Sequence, residues 1–248
     1  IVSLIVSTTG NPGDALDLDE DPATCQPAAA GCSGGIDNAL GPIAGMDMAV
    51  EGMKEAVEKG SISLLFEHRN IRTDGSPYVL AFYTGELDPS NPDCKFQTET
   101  CAYQVDHVVF DANCSPLIYL DNAKIENGRL TAGGLKYTFP FDLPLLGDTP
   151  LHVDLYATRV DASVSVSGGK VTAMTGILGG AVPKAQIQAG VQNLDPDSLP
   201  EGITKEQILQ LLDFLVVPDI DGDGDGELES ASIGIKFSAI GGSITGLY

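Results

Sequence analysis

The sequence predicts a mainly β protein, an antiparallel β-sandwich or open barrel with two peripheral helices. Roughly ten short segments alternate apolar and polar residues, which is the pattern of half-buried strands. Three pairs of these segments are joined by short glycine-containing turns, and strands do not alternate with helices as they do in a parallel sheet. With 248 residues and 43% hydrophobic content, the chain is expected to form one domain, 1–248.

The predicted β core spans residues 61–199. Its three hairpins turn at 73–76, at Asn127-Gly128 and at Gly168-Gly169. The paired strands are 62–71 with 78–84, 123–126 with 129–131, and 151–167 with 170–178. Further strands are expected at 103–110, 117–120 and 135–141, and residues 183–192 are a candidate short helix.

Segments 1–60 and 200–248 flank this core, and each is predicted to combine a strand, a helix and an acidic loop. The first helix follows from an apolar stripe at helical spacing that ends at Gly60, made of Leu40, Ile43, Met46, Val50, Met53 and Val57. The second, 203–217, begins at a capping box formed by Thr204 and Gln207. Its apolar residues Ile208, Leu211, Leu212 and Leu215 are expected to face the core, and strands 232–240 and 243–248 follow.

Residues 1–8 are predicted to form a strand that is apolar on both faces, so it requires burial on both sides. Its partner strand lies either in its own sheet or in another copy of the chain or another envelope protein. The second arrangement would give a dimer or a filament by strand addition.

The densest chemical signal is the acidic stretch PDIDGDGDGELES, residues 218–230. Asp221, Asp223 and Asp225 stand at positions 1, 3 and 5 of an EF-hand-type loop, with Gly226 at position 6 for the sharp turn. The backbone carbonyl of Glu227 and the side chain of Glu229 are the remaining expected ligands. The predicted calcium-binding residues of this loop are therefore Asp221, Asp223, Asp225, Glu227 and Glu229. Position 12 is Ser232 rather than a bidentate glutamate. The competing interpretation is a solvated acidic linker.

A second, interrupted calcium loop is predicted near the N-terminal end of the sequence. Asp17, Asp19 and Asp21 again alternate, and Asp37 completes the site if residues 22–35 form an excursion closed by Cys25 and Cys32. The competing interpretation is an acidic turn followed by a helix cap at Asp37 or Asn38.

Five cysteines occur, and four of them form two pairs that are seven residues apart. Cys25 with Cys32, and Cys94 with Cys101, each fall in a polar or proline-rich loop, which is typical of disulfides in an oxidising compartment. Zinc is the alternative ligand. Cys114 is left over and is expected to be a buried free thiol.

The charge balance restricts the partners. The chain carries 13 Lys plus Arg against 35 Asp plus Glu, a net charge of −22. This excludes nucleic acid and anionic membrane surfaces as partners and favours divalent cations. No apolar run is long enough to span a membrane, and the chain starts at Ile1 without Met, as a mature or trimmed form would.

Two stretches, LDLDED with GIDNALG, and PDIDGDGDGELESASIGIKFSAI, resemble a group of acidic secreted or lipid-anchored surface proteins of unassigned function from myxobacteria and related deltaproteobacteria. The resemblance covers roughly a fifth of the chain. It implies an envelope, periplasmic or extracellular location and calcium sites at both stretches. It brings no enzymatic activity. The insertion that carries Cys25 and Cys32 departs from the pattern.

No catalytic signature stands out. Only three histidines occur, and the chain has no GxGxxG, P-loop or HExxH motif. Trp, the usual platform for sugar stacking, is absent. We therefore expect a calcium-stabilised extracellular or cell-surface structural or assembly protein without catalysis. A β-sandwich module that binds a glycan or small molecule is the alternative, followed by a carboxylate-based hydrolase.

Overall fold

The computed structural model describes residues 1–8, 11, 13–26, 34–44, 54, 56–58, 60, 63–143, 151–196, 199, 202 and 204–248. The strands in this part of the chain are β1 (Ser3–Val6), β2 (Leu64–Arg69), β3 (Tyr78–Leu87), β4 (Ala102–Val105), β5 (Tyr119–Glu126), β6 (Arg129–Gly133), β7 (Phe139–Leu143), β8 (Leu151–Ser167), β9 (Lys170–Pro183), β10 (Ser230–Ile240) and β11 (Ser243–Leu247). The helices are α1 (Gly41–Ala44), α2 (Lys184–Asn193) and α3 (Lys205–Leu215). The prediction of a mainly β fold with few helices is confirmed.

All eleven strands belong to one open sheet in the order β1-β10-β9-β8-β6-β5-β3-β4-β11, with β2 paired to β3 and β7 paired to β8. Every pair is antiparallel except β4 with β11, which is parallel, so the sheet is mixed rather than purely antiparallel. Only Gly241 and Gly242 separate β10 from β11, although the two strands lie near opposite ends of this order. Since three peptide units span about 10 Å at most, the sheet must curl back on itself, as in an open barrel.

The three predicted hairpins are present as β2–β3, β5–β6 and β8–β9. Asn127 and Gly128 both have positive φ, 51° and 78°, as a two-residue turn that matches the strand twist requires. Several predicted strand bounds were wrong. The strand predicted at 135–141 spans Phe139–Leu143, because residues 134–138 form a turn. The strand predicted at 103–110 ends at Val105, because Asp106 caps a 3₁₀ turn by accepting a hydrogen bond from the Val108 N–H at 3.0 Å. Residues 119–126 form one continuous strand instead of two.

The second predicted helix is confirmed as α3, with both halves of the Thr204–Gln207 capping box formed. Leu212 is buried, but Leu211 is 39% exposed and does not face the core as predicted, because α3 packs at the periphery through a narrow stripe. The candidate helix at 183–192 is α2. Within the first predicted helix, α1, Lys54 and residues 56–58 are helical. Residues 45–53 and 55 lie outside the described residues. No helix in the described part of the chain is long and apolar enough to cross a membrane.

Strand β1 pairs with β10 of the same chain. Leu4 and Val6 are 2% and 3% exposed, whereas Ile5 between them is 51% exposed. The expectation that both faces are buried was therefore wrong. The reason is that β1 is an edge strand whose outer face borders solvent.

The first half of β10 is buried on both faces. Ile233 and Ile235 point into the main hydrophobic core, where they join Leu155 and Leu178. Ser230 and Ser232, on the opposite face, are also fully buried. Segments from both ends of the chain cover this outer face, and they carry the two acidic loops.

Candidate metal centres

The N-terminal acidic loop lies directly on a seat made by two glycines. Gly234 of β10 is paired with Gly179 of β9. A Cβ atom at Gly234 would lie 2.6 Å from the Ala15 Cβ, and one at Gly179 would lie 3.1 Å from the side chains of Leu16 and Leu18. A glycine inside a strand marks a place where another backbone approaches closely. The seat therefore lets residues 14–18 pack against the sheet.

Two polar side chains fasten the following GIDNALG segment to β10. The Asn38 side chain donates to the Ser7 carbonyl at 2.8 Å and accepts from the Gly234 N–H at 3.0 Å. The Ser232 hydroxyl accepts from the Ala39 N–H at 2.8 Å. Both Asn38 and Ser232 are fully buried, so these bonds fix the position of the neighbouring Asp37.

Three carboxylates, Asp17, Asp19 and Asp37, converge in the N-terminal loop, with one oxygen of each lying within 4.8 Å of the others. Asp37 is 1% exposed and accepts from the Leu18 N–H at 2.8 Å. The Asp17 Oδ1 atom is buried and has no hydrogen-bond partner. A buried oxygen of this kind calls for an explanation such as a bound ion.

Asp37 and Asp17 resist ionisation when no cation is near them. Burial, together with the negative charges of Asp19 and Asp219, raises the pKa of Asp37 to about 7, although the Leu18 N–H lowers it. Burial also raises the pKa of Asp17, while the Arg159 guanidinium lowers it. A divalent cation would reverse this by favouring the ionised forms.

Four carboxylates, Asp221, Asp223, Asp225 and Glu229, converge in the C-terminal loop, with one oxygen of each again within 4.8 Å of the others. Backbone N–H groups orient them. Asp221 accepts from Gly224 at 2.6 Å and from Gly226 at 2.8 Å. Gly226, predicted to make the sharp turn, has a φ of 93°, which an L side chain rarely adopts.

The remaining loop contacts explain how Asp221 stays charged and how Glu229 is held in position. The N–H groups of Gly226 and Gly224 lower the pKa of Asp221. Glu229 Oε1 accepts from the Gly222 N–H at 2.7 Å and from the Ser230 hydroxyl at 2.9 Å. Its second oxygen, Oε2, is buried without a hydrogen-bond partner. The loop is thus an ordered array of oxygens and not a solvated linker.

Seven of the nine predicted ligand residues fall into these two clusters. Asp21 does not, because it is exposed and its Oδ1 accepts from the Ala23 N–H at 2.9 Å. The Glu227 side chain is also exposed and outside the cluster, and its N–H donates to Asp225 at 2.8 Å. Asp21 was assigned from alternation alone, which does not distinguish a ligand from a turn-capping carboxylate. Glu227 was assigned for its backbone carbonyl, and that assignment stays a prediction.

Sequence reasoning missed Asp219 as part of the site. This residue is 8% exposed, and its carboxylate accepts from the Ser232 N–H at 2.8 Å and from the Ser232 hydroxyl. Its charge acts on Asp37 across the two loops. The sequence feature that could have pointed to Asp219 is its position as an aspartate in an otherwise apolar stretch just before the acidic loop.

The cysteines only partly match the prediction. Cys94 and Cys101 form a disulfide, with a Cα–Cα distance of 6.0 Å, so zinc is not their partner. Cys25 also belongs to a disulfide, but its predicted partner, Cys32, lies outside the described residues. Cys114 is free, as predicted, but it is exposed and not buried. It sits in a turn that the Asp111 carboxylate closes.

A trough of about 1120 Å³ crosses the outer face of the sheet beside the N-terminal loop. Three of its four basic residues are paired, since Arg129 bonds Asp161, Arg159 bonds Glu20 and Lys236 bonds Asp14, and the fourth is Lys124. The last two pairs tie the N-terminal loop to β8 and β10. Charges that neutralise one another leave little attraction for a ligand, so the trough is a weaker candidate than the carboxylate clusters.

Comparisons with protein-family models, with curated protein sequences and with solved structures found no match. The function is therefore inferred from the residues and geometry of this chain alone.

Proposed function

We propose that this protein is a calcium-stabilised structural protein of the cell surface or extracellular space. The observation that carries the proposal is the convergence of two separate aspartate-rich segments into two oxygen clusters, each with one buried oxygen that lacks a partner. Occupied clusters would fasten both end segments of the chain to the same strands, β9 and β10. The ion thereby contributes to folding stability.

Calcium suits these clusters better than zinc or magnesium. All seven ligand residues are carboxylates, and zinc favours sulfur and nitrogen ligands. Calcium accepts six to eight oxygens in flexible geometry, whereas magnesium demands a regular octahedron and retains water. Since Ser232 replaces the bidentate glutamate of an EF-hand, we expect a dissociation constant on the order of 10⁻⁴ M, as in extracellular modules.

An extracellular or envelope location agrees with this affinity and with the covalent chemistry. A site of this strength would remain loaded only where calcium is abundant. The Cys94–Cys101 disulfide is the kind of bond that persists in oxidising compartments. The expected calcium affinity and the disulfide are both compatible with an extracellular or envelope location.

We expect the protein to have no catalytic activity. Two histidines illustrate why: His68 is bonded to the Tyr78 hydroxyl at 2.8 Å, and His107 to the Tyr248 carbonyl at 3.0 Å, so neither is poised beside a nucleophile. A panel of esterase, glycosidase and peptidase substrates should show no turnover above background. Turnover that one point substitution abolishes would contradict this.

Calorimetric titration tests the calcium assignment. The wild-type protein should bind two calcium ions, and Asp223→Asn and Asp17→Asn should each lose one of them. Magnesium and zinc should bind more weakly than calcium. Asp93→Asn, an exposed residue outside both clusters, removes the same charge and should retain both ions. A wild type that binds no calcium at millimolar concentration would refute the assignment.

A further inference from the structure

The two metal loops share a small apolar contact. Leu16 and Leu18 of the N-terminal loop pack with Ala181 of β9 and with Ile220, which immediately precedes the C-terminal loop. Leu18, Ala181 and Ile220 are each at most 1% exposed. Because such close-packed side chains transmit displacement, the position of Ile220 constrains the position of residues 16–18.

Asp219 connects the loops a second time, through polar contacts. The Ser232 hydroxyl donates to Asp219 and accepts from the Ala39 N–H, so it joins the C-terminal loop to the segment that carries Asp37. The backbone beside Asp219 is held by the Ile220–Ser230 bridge, with hydrogen bonds of 3.0 and 3.1 Å. This bridge closes the base of the C-terminal loop.

We propose that Asp219 couples the two metal sites, so that calcium binds the N-terminal cluster more tightly when the C-terminal loop is loaded. This inference rests on the proposed function. An ion bound by Asp221, Asp223, Asp225 and Glu229 fixes the loop whose base is the Ile220–Ser230 bridge. The bridge then holds Asp219 against the Ser232 hydroxyl, which bonds the Ala39 N–H near Asp37, and it holds Ile220 as a fixed support for Leu18.

Direct repulsion between the two ions opposes this coupling, so the measured change in calcium affinity is the net of the two effects. Both ions also enter a chain with a net charge of −22, which attracts each of them. Binding of the first ion leaves most of that attraction in place for the second.

The test compares the calcium affinity of the N-terminal cluster with and without a functional C-terminal loop. Asp223→Asn empties the C-terminal loop, and Asp93→Asn is the control with the same change of charge. We expect the N-terminal site to bind calcium at least about fivefold more weakly in Asp223→Asn than in Asp93→Asn. Since coupling is reciprocal, Asp17→Asn should weaken the C-terminal site by the same factor.

Ser232→Ala probes the connection without altering any ligand or charge. In this background Asp223→Asn should weaken the N-terminal site by a smaller factor than it does when Ser232 is present, because only the contact of Leu16 and Leu18 with Ile220 still joins the loops. Equal N-terminal affinities in Asp93→Asn and Asp223→Asn would overturn the coupling while leaving the proposed function intact. If neither Asp17→Asn nor Asp223→Asn removes a bound ion, the proposed function itself fails, and the coupling fails with it.

Discussion

At the scale of single residues, the position of His68 in the sheet disfavours protonation of its imidazole. It lies in β2, is bonded to the Tyr78 hydroxyl and contacts the Tyr78 ring. Burial lowers its pKa from 6.5 to about 4, because the charged imidazolium would lose hydration that the surroundings do not replace. The fold therefore selects the neutral imidazole.

This depressed pKa predicts a pH dependence of stability. Between pH 6.5 and pH 4 the unfolded chain binds a proton at His68 that the folded chain does not, so stability falls as the pH falls through this window. The loss should amount to at most about 3 kcal/mol. Urea unfolding of the wild type and of His68→Gln at pH 7 and pH 4, in chelator, measures it. If the difference between the two proteins is the same at both pH values, the prediction is wrong.

At the scale of single elements, the paired glycines of β9 and β10 decide where the N-terminal loop can lie. A Cβ at Gly234 would meet the Ala15 Cβ at 2.6 Å and the Asp14 carbonyl oxygen at 2.7 Å. Both are closer than non-bonded atoms approach, and one is backbone. The metal site in the loop thus depends on the absence of a side chain in a strand.

We predict that Gly234→Ala destabilises the protein by about 1–3 kcal/mol, as overpacking typically does. It should also weaken the N-terminal calcium site while leaving the C-terminal site in place. Gly241→Ala is the matched control, because its Cβ would meet no atom closer than 3.5 Å. Chemical unfolding and calcium titration of both variants provide the comparison. Equal stability of the two variants would show that the loop does not rest on Gly234.

At the scale of the whole molecule, the fold brings together segments that are far apart in the chain. The spacing of Asp221, Asp223 and Asp225 could be read from the sequence because these ligands are local. The approach of Asp219 to Asp37, and of Gly234 to Ala15, depends on long-range contacts, and no short pattern encodes them. The hairpins could be predicted for the same local reason, whereas the parallel pairing of β4 with β11 could not.

The charge distribution predicts that the stability of this fold depends on a cation. The chain has 13 basic residues for 35 acidic ones, and seven of the acidic residues are concentrated in the two clusters. Without an ion, repulsion within each cluster opposes the compact state. Lys236 and Arg159 hold the N-terminal loop through Asp14 and Glu20, so we expect the metal-free protein to remain folded but to be less stable.

The most direct test is the melting temperature of the wild-type protein in chelator and in calcium at about 100 times the dissociation constant. Each loaded site should add about 2.7 kcal/mol, which corresponds to about 5–10 °C for a chain of this size. We predict that calcium raises the melting temperature by at least this amount and that Asp223→Asn reduces the rise. An identical melting temperature in chelator and in calcium would contradict the account.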